Sequence, residues 1–221
     1  MISLAIESTT ESCSVALDTG SKVLERWAVQ PQGHARTILP WASELLSVAG
    51  LSFGQLDRLV VSRGPGGFTS LRIGLSIVQG LALAHDLAVY PVSSLEVLAE
   101  SADPERQRPL LLALLDARMG EVYAAWYRID DGKRIRIGAE WLGSPDDLSA
   151  PEAGSWQTVG PGAVAFRDQL HAAFGSEIIL PAKDADITWP SAHALLTLAD
   201  TVDATSAEKI TPTYLRDQVT G

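Results

Sequence analysis

A chain of 221 residues with 46% hydrophobic and 20% charged residues can bury a sizeable core, in one large or two small domains. Its 17 basic and 27 acidic residues give a formal net charge of -10, which repels phosphodiester groups, so we expect no tight direct binding of nucleic acid by this chain alone. The most apolar stretch, 71–84, is short and contains Arg72 and Gln79, which argues against a membrane span. The N-terminus carries no basic leader and Cys13 cannot form an internal disulfide, and both features favour a cytoplasmic location.

The first half of the chain is predicted to form a three-strand meander that leads into alternating helices and strands. Short β-rich runs between turn residues indicate the strands, and apolar residues at helical spacing indicate the helices. Because Pro40 cannot donate a backbone hydrogen bond, the first helix either begins near Thr37 or bends at Pro40. The polar stretch 101–109 is expected to join the two halves. The predicted strands are 2–8, 13–19, 23–29, 57–62 and 87–92, and the predicted helices are 34–49, 69–85 and 93–100.

The second half repeats this order with different residues. Glycine-proline-glycine turns begin at Gly64 and Gly160, each after a predicted strand and before a predicted helix. The repeat predicts a duplicated α/β fold of the actin-like plan, also called ASKHA or RNase H-like, with lobes at 1–103 and 104–221. The predicted strands are 110–116, 121–129, 133–142, 156–160 and 177–181, and the predicted helices are one that ends near Phe174 and one at 190–202.

The glycine-rich loop in SRGPGGFTSLRIGLS, residues 62 to 76, has two interpretations. A Walker-type phosphate loop needs a lysine after its last glycine, and here Phe68 and Thr69 follow Gly67. A dinucleotide fingerprint also fails, because no acidic residue follows at the distance of the ribose. The start of the helix could still bind an anion, but the residues favour a structural turn between strand and helix.

The predicted helix 69–85 is apolar around its whole circumference and carries a row of small residues, Ser76, Gly80 and Ala84. Gly80 in mid-helix costs about 1 kcal/mol relative to alanine, which suggests that close packing compensates. One alternative is that the helix is enclosed within its own domain. We favour the other, in which it pairs with helix 34–49 and presents an apolar face to a second polypeptide.

Patterns of catalytic residues are scarce in this sequence. The four histidines have no histidine partner three or four residues away, and no Gly-x-Ser-x-Gly nucleophile motif occurs. In actin-like folds the first hairpin of each half contacts nucleotide phosphates, which makes Thr9, Thr10, Asp116 and Gly120 the candidate nucleotide contacts. The structural alternative is that the two threonines close a turn and that Asp116 pairs with Arg118.

Five segments carry a resemblance to a known family, in order along almost the whole chain. They are IESTTESCSVAL, HARTILPWASELL, SRGPGGFTSLRIGLSIVQGLALA, LLDARMGEVYAAWY and TPTYLRD. They resemble the TsaB (YeaZ) family, and the GPGGFTSLRIG and DARMGEVY portions are the most specific. The resemblance implies a noncatalytic subunit in the synthesis of N6-threonylcarbamoyladenosine beside the anticodon of tRNAs that read ANN codons. It also implies a TsaD-type transferase partner, a TsaE-type P-loop ATPase, and contact with tRNA only through the complex.

The resemblance assigns a role to the helices 34–49 and 69–85. In this family the two helices form a bundle shared with the paralogous transferase, and they mediate self-pairing into a homodimer when the paralogue is missing. The interface residues expected on these helices are Ile38, Trp41, Leu45, Leu71, Gly74, Leu75 and Val78.

The resemblance also bears on catalysis. The transferase binds its metal through a His-x-Glu-x-His pattern at the start of the helix after the fifth strand, where this chain has Ser94, Glu96 and Leu98. Because Glu96 alone cannot hold a catalytic metal, we expect a pseudo-enzyme without a resident metal or cofactor, with ATP or ADP at the subunit junction left open. The alternative function is a free-standing actin-like ATPase or kinase, and a peptidase has little support because no metal pair or nucleophile motif is present.

Overall fold

The computed structural model describes residues 1–182 and 187–215 and divides them into two compact units. Unit 1 comprises Met1–Val97 and Pro190–Thr213. Unit 2 comprises the described residues from Leu98 to Trp189, together with Tyr214 and Leu215. The predicted lobe boundary between residues 103 and 104 follows the sequence duplication and stays a prediction, whereas the compact units place the segment from Pro190 with the N-terminal sheet.

Each half of the chain begins with three consecutive strands, and its helices and remaining strands follow. The strands are β1 (Ser3–Glu7), β2 (Ser12–Asp18), β3 (Val23–Val29), β4 (Arg58–Ser62), β5 (Ala88–Val92), β6 (Leu110–Arg118), β7 (Glu121–Asp130), β8 (Lys133–Gly143), β9 (Trp156–Val159) and β10 (Ile178–Ile179). The helices are α1 (His34–Ala49), α2 (Phe68–His85), α3 (Ser94–Ala102), α4 (Pro161–Ala165), α5 (Arg167–Phe174) and α6 (Ala192–Leu198).

The two sheets have matching topologies. Unit 1 holds a five-stranded sheet in the order β3-β2-β1-β4-β5, and unit 2 holds one in the order β10-β9-β6-β7-β8. In each sheet the first three strands form an antiparallel meander, and the fourth and fifth strands run parallel to the first. This correspondence confirms the duplicated α/β fold that the sequence predicts.

Helices cover both faces of the first sheet. Leu4 and Ile6 of β1 belong to a core cluster with Ile38 of α1. Ala5, which points to the opposite face, packs in a separate cluster with Leu195 of α6. All five residues of β1 are buried because the strand is central and covered on both sides.

Helix α1 begins at His34, so Pro40 lies inside the helix and not in its first turn. Of the two alternatives, the start near Thr37 is therefore wrong, because residues 34–36 are already helical, and a bend at Pro40 stays a prediction. The helix ends where Gly50 adopts a left-handed conformation with φ 70°, which directs its amide to the carbonyls of Leu46 and Ser47.

Helix α2 has one buried face and one exposed face. Its exposed side includes Leu83, which is 62% exposed, and the predicted row of small residues. Apart from the backbone of its own helix and its chain neighbours, a Cβ atom added at Gly80 would meet no atom of the described residues within 4 Å, so the close packing expected there is not made within this part of the chain. None of the helices in the described part of the chain has the length and hydrophobicity needed to cross a membrane. The buried residues of α2 are Leu71, Gly74, Leu75, Val78 and Ala82.

Unit 2 departs from the predicted elements after β9. The helix predicted to end near Phe174 is divided at Phe166 into α4 and α5. Both short helices pack beside an aromatic core. The ring centroids of Trp126 and Trp156 lie 4.7 Å apart in an edge-to-face arrangement, and those of Trp126 and Phe174 lie 5.9 Å apart. Aromatic pairs of this geometry stabilise a core beyond the area they bury.

Two glycines of α2 allow a matched test of this arrangement. A Cβ at Gly74 would lie 2.2 Å from the hydroxyl oxygen of Ser8, whereas Gly80 has open space. We expect Gly74→Ala to lower the free energy of unfolding by about 1–3 kcal/mol through overpacking, and Gly80→Ala to raise it by about 0.5–1 kcal/mol through helix propensity. Urea unfolding of the isolated chain measures both changes, and shifts of the same sign would contradict the assigned faces of α2.

Candidate functional site

The turn between β1 and β2 is held by a buried carboxylate. Glu7 is fully enclosed, and its Oε1 accepts hydrogen bonds from the amide and hydroxyl of Thr9 at 2.7 and 2.5 Å. Its Oε2 accepts a hydrogen bond from the hydroxyl of Ser62 at the end of β4. The side chain therefore ties the hairpin turn to a neighbouring strand.

Burial raises the pKa of Glu7 above its ordinary value, because desolvation disfavours the charged form. The hydrogen bonds from Ser62 and Thr9 oppose this effect without cancelling it. Burial likewise raises the pKa of the Cys13 thiol to about 12, so this cysteine is an unreactive core residue.

The glycine-rich loop closes over the same turn. The amide of Gly67 donates to the carbonyl of Thr9 at 2.7 Å. A Cβ at Gly66 would lie 2.3 Å from that carbonyl oxygen, so a side chain at this position cannot be accommodated. With its amide, hydroxyl and carbonyl all engaged, Thr9 serves the packing of the loop, which acts as the structural turn that the residues favour.

The other candidate nucleotide contacts also make local bonds. Thr10 shares a hydroxyl–hydroxyl hydrogen bond of 2.9 Å with Ser12, within unit 1. In unit 2, Asp116 accepts from the amide of Arg118 at 2.7 Å and forms an ion pair with its guanidinium at 3.2 Å. The predicted pairing of Asp116 with Arg118 is therefore confirmed. Gly120 turns the hairpin with φ 81°. Nucleotide contact through Thr9, Thr10, Asp116 and Gly120 stays a prediction.

Helix α3 carries Ser94, Glu96 and Leu98, the residues that the sequence resemblance aligns with the metal-binding pattern of the transferase. Ser94 and Leu98 of α3 are both fully buried, and Glu96 is half-buried. Serine and leucine are not metal ligands at such a site. Within residues 1–182 and 187–215, no group of three or more histidine, cysteine, aspartate or glutamate side chains is arranged to hold a metal ion.

The residues predicted to contact a partner lie mostly in the core of unit 1. Trp41 is half-buried at its margin. The other six are enclosed by the chain itself, so their side chains are not accessible to a partner in this conformation. An apolar helix does not reveal from sequence alone which of its faces is turned inward. The six enclosed residues are Ile38, Leu45, Leu71, Gly74, Leu75 and Val78.

Different side chains of the same two helices remain accessible. Leu39 and Val48 of α1 are 42% and 60% exposed, and Phe68 and Leu83 of α2 are 46% and 62% exposed. Helical spacing places Leu83 on the same side of α2 as Gly80. We refer to these four exposed apolar residues together as the outer face of α1 and α2. Leu39 and Val48 lie on opposite sides of α1, because nine residues separate them, whereas Phe68 and Leu83 lie on the same side of α2.

Two five-stranded sheets of matching order, in a chain whose glycine loops each lead from a strand into a helix, define a duplicated actin-like α/β protein. A family model described as "TsaD: tRNA N6-adenosine threonylcarbamoyltransferase" matches residues 28–174. The tRNA threonylcarbamoyladenosine biosynthesis protein TsaB of Escherichia coli K12 is 35% identical over 98% of this chain and 95% of its own length. The protein of the same name from Haemophilus influenzae is 34% identical over 98% and 94%.

A solved structure supports the same assignment. YeaZ from Pseudomonas aeruginosa is 33% identical, covers 97% of this chain and 99% of its own, and superposes with a TM-score of 0.83. The chain belongs to the TsaB family, also called YeaZ. The resemblance drawn from the sequence segments is thereby confirmed.

The raised pKa of Glu7 generates a prediction about pH. A carboxyl whose pKa is raised by folding stabilises the protein below its unfolded pKa, and this stabilisation is lost as the pH rises through the folded pKa. Glu7→Gln keeps an acceptor for Thr9, and the Ser62 hydroxyl can accept from the new amide. We therefore expect the stability of Glu7→Gln relative to wild type to increase as the pH rises from about 4 towards neutrality.

Urea unfolding at a series of pH values measures this difference, and Glu177→Gln, at an exposed glutamate of unit 2, is the control. A stability difference between wild type and Glu7→Gln that does not change with pH would show that the carboxyl has the same proton affinity in the folded and unfolded chains.

Proposed function

We propose that this chain is a noncatalytic subunit of the machinery that makes N6-threonylcarbamoyladenosine in tRNAs that read ANN codons. The observation that carries the proposal is the near-complete alignment with curated proteins named for threonylcarbamoyladenosine biosynthesis, at 34–35% identity. The matching family model, described as a threonylcarbamoyltransferase, supports a common fold for this chain and a catalytic paralogue. A cytoplasmic location, where tRNA is modified, is part of the same proposal.

The noncatalytic role is supported by the composition of α3. The helix offers serine and leucine at positions 94 and 98, where the resemblance places metal-binding histidines in the transferase. Glu96 by itself supplies one carboxylate, and a catalytic metal needs several ligands. The subunit therefore acts by binding and orienting the transferase.

The outer face of α1 and α2 is the surface that we assign to the TsaD-type partner. Its four exposed apolar side chains lie on two helices that pack against each other. Because these side chains are exposed, they are available to contact an apolar surface of a partner. The same face would mediate self-pairing of the chain when the transferase subunit is absent.

The charge of the chain supports an indirect contact with tRNA. A net charge of -10 opposes binding to a polyanion, so the basic groups that hold tRNA belong to other subunits. A TsaE-type P-loop ATPase completes the proposed complex. Nucleotide at the subunit junction stays part of the proposal, and calorimetry with Mg-ATP on the isolated chain tests the alternative of a free-standing ATPase or kinase.

Introducing a charge into the outer face tests the partner surface. We expect Leu83→Glu to weaken binding to a TsaD-type subunit at least about tenfold, because it places a carboxylate in an apolar contact. The unfolding transition should be nearly unchanged, since Leu83 is largely exposed. Leu75→Glu is unsuitable for this purpose because Leu75 is in the core and the substitution would unfold unit 1.

The matched control is Ile135→Glu in unit 2, at a side chain that is 42% exposed. Titration calorimetry with the purified transferase subunit gives the affinities. Equal affinities of Leu83→Glu and Ile135→Glu would remove α2 from the interface.

Function in the cell is tested by complementation. We expect this chain, expressed in bacteria depleted of their own TsaB together with its cognate TsaD-type subunit, to restore N6-threonylcarbamoyladenosine in tRNA. Mass spectrometry of digested tRNA measures the nucleoside, and the Leu83→Glu variant should restore less of it at equal protein levels. Unmodified tRNA in cells that contain both folded subunits would overturn the proposed function.

A further inference from the structure

The segment after α6 belongs to unit 1, and it contacts first the sheet and then α2. We call residues 205–213 the C-terminal segment. It begins by pairing with β5 at the edge of the sheet, where Thr205 and Val89 exchange two backbone hydrogen bonds of 2.8 and 3.0 Å. This pairing covers part of an edge strand that would otherwise expose its backbone groups.

The segment then crosses α2. Ala207 and Ile210 are buried in the core cluster that also contains Val78 of α2. Between them, Glu208 and Lys209 are exposed, so the segment has an apolar inner side and a charged outer side.

Gln79 makes a polar contact between α2 and this segment. Its side-chain amide nitrogen donates to the carbonyl of Ala207 at 3.3 Å and to the carbonyl of Ile210 at 3.2 Å. An amide group has two N–H donors, and this geometry uses both on one stretch of backbone. The two acceptors lie three residues apart, so one side chain fixes the turn that carries both buried residues.

The far end of the segment is tied to the glycine-rich loop. The amide of Thr213 donates to the carbonyl of Arg63 at 2.7 Å, and the guanidinium of Arg63 donates to the Thr213 hydroxyl at 3.1 Å. The carbonyl oxygen of Thr213 lies 2.8 Å from the position of a Cβ at Gly64. The segment thus contacts both the body of α2 and the loop that begins it.

Helical spacing places Gln79 beside the exposed side of α2. It follows Ser76 by three residues and precedes Leu83 by four, so its side chain lies along one flank of the outer face. A partner that packs on Leu83 and Gly80 would therefore contact α2 next to the C-terminal segment.

We propose that Gln79 is a positioning residue that anchors the C-terminal segment, and that the anchored segment presets α2 for binding of the transferase subunit. The role in binding rests on the proposed function. The physical basis is preorganisation: a surface that is ordered before association loses less conformational freedom when it binds. The anchor itself is a property of the isolated chain.

The test compares Gln79→Met, which keeps the length of the side chain and removes both donors, with wild type. Gln169→Met, at a half-buried glutamine of α5, is the matched control. Hydrogen exchange at the amides of Thr205 and Thr213 reports on the segment, and calorimetry with the transferase subunit reports on binding. We expect exchange to accelerate about tenfold and affinity to fall about fivefold in Gln79→Met alone.

A second variant keeps the test decisive if Gln79→Met is poorly folded. Gln79→Asn retains the amide but is one methylene too short to reach both carbonyls, so it should show the same accelerated exchange. Unchanged exchange in a folded variant overturns the anchor. Faster exchange with unchanged affinity shows a purely structural segment and overturns the positioning role. A wild-type chain that binds no transferase subunit overturns both the proposed function and the positioning role. In that case the hydrogen-exchange measurement still tests whether Gln79 anchors the C-terminal segment.

Discussion

The arrangement of unit 1 depends on the contact between Thr9 and the glycine-rich loop. Thr9 donates its amide and hydroxyl to the buried Glu7 and accepts the amide of Gly67. The approach is so close that the loop has no room for a Cβ at Gly66. Because the loop leads directly into α2, this contact fixes where the helix starts and how it is rotated about its axis.

The rotation of α2 decides which apolar residues form core and which form surface. Gly74 faces Ser8 so closely that a Cβ there would displace the Ser8 hydroxyl, and its lack of a side chain lets the helix approach β1 closely. Residues one turn away on that side, including Leu71 and Val78, are consequently enclosed. The opposite side keeps Leu83 and Gly80 at the surface, and burial inside the chain and binding to a partner therefore use different residues of one helix.

The sequence predicts the positions of the strands and helices better than it predicts their buried faces and long-range contacts. Strand and helix positions follow from short-range periodicity, and the repeated glycine-proline-glycine turns predict the duplication. The buried face of α2 is not predictable because the helix is apolar all round, so the sequence alone does not separate core residues such as Leu75 from interface residues. The bond from Gln79 to Ile210 joins residues 131 positions apart, and no local pattern indicates it. In the sequence, Glu7 belongs to an acidic turn, and only the structure shows that its side chain is buried.

The duplication also shows where the two units differ. Gly64 and Gly160 have nearly the same φ, 101° and 98°, and both loops press a glycine against backbone of their own unit, at Thr9 in one case and at Leu114 in the other. The loop of unit 1 continues into an 18-residue helix, whereas that of unit 2 continues into a helix of only 5 residues. A 5-residue helix makes little more than one turn and has no long outer face to offer. The same turn chemistry therefore supports a packed core in both units, and a long helix with an outer apolar face follows it only in unit 1.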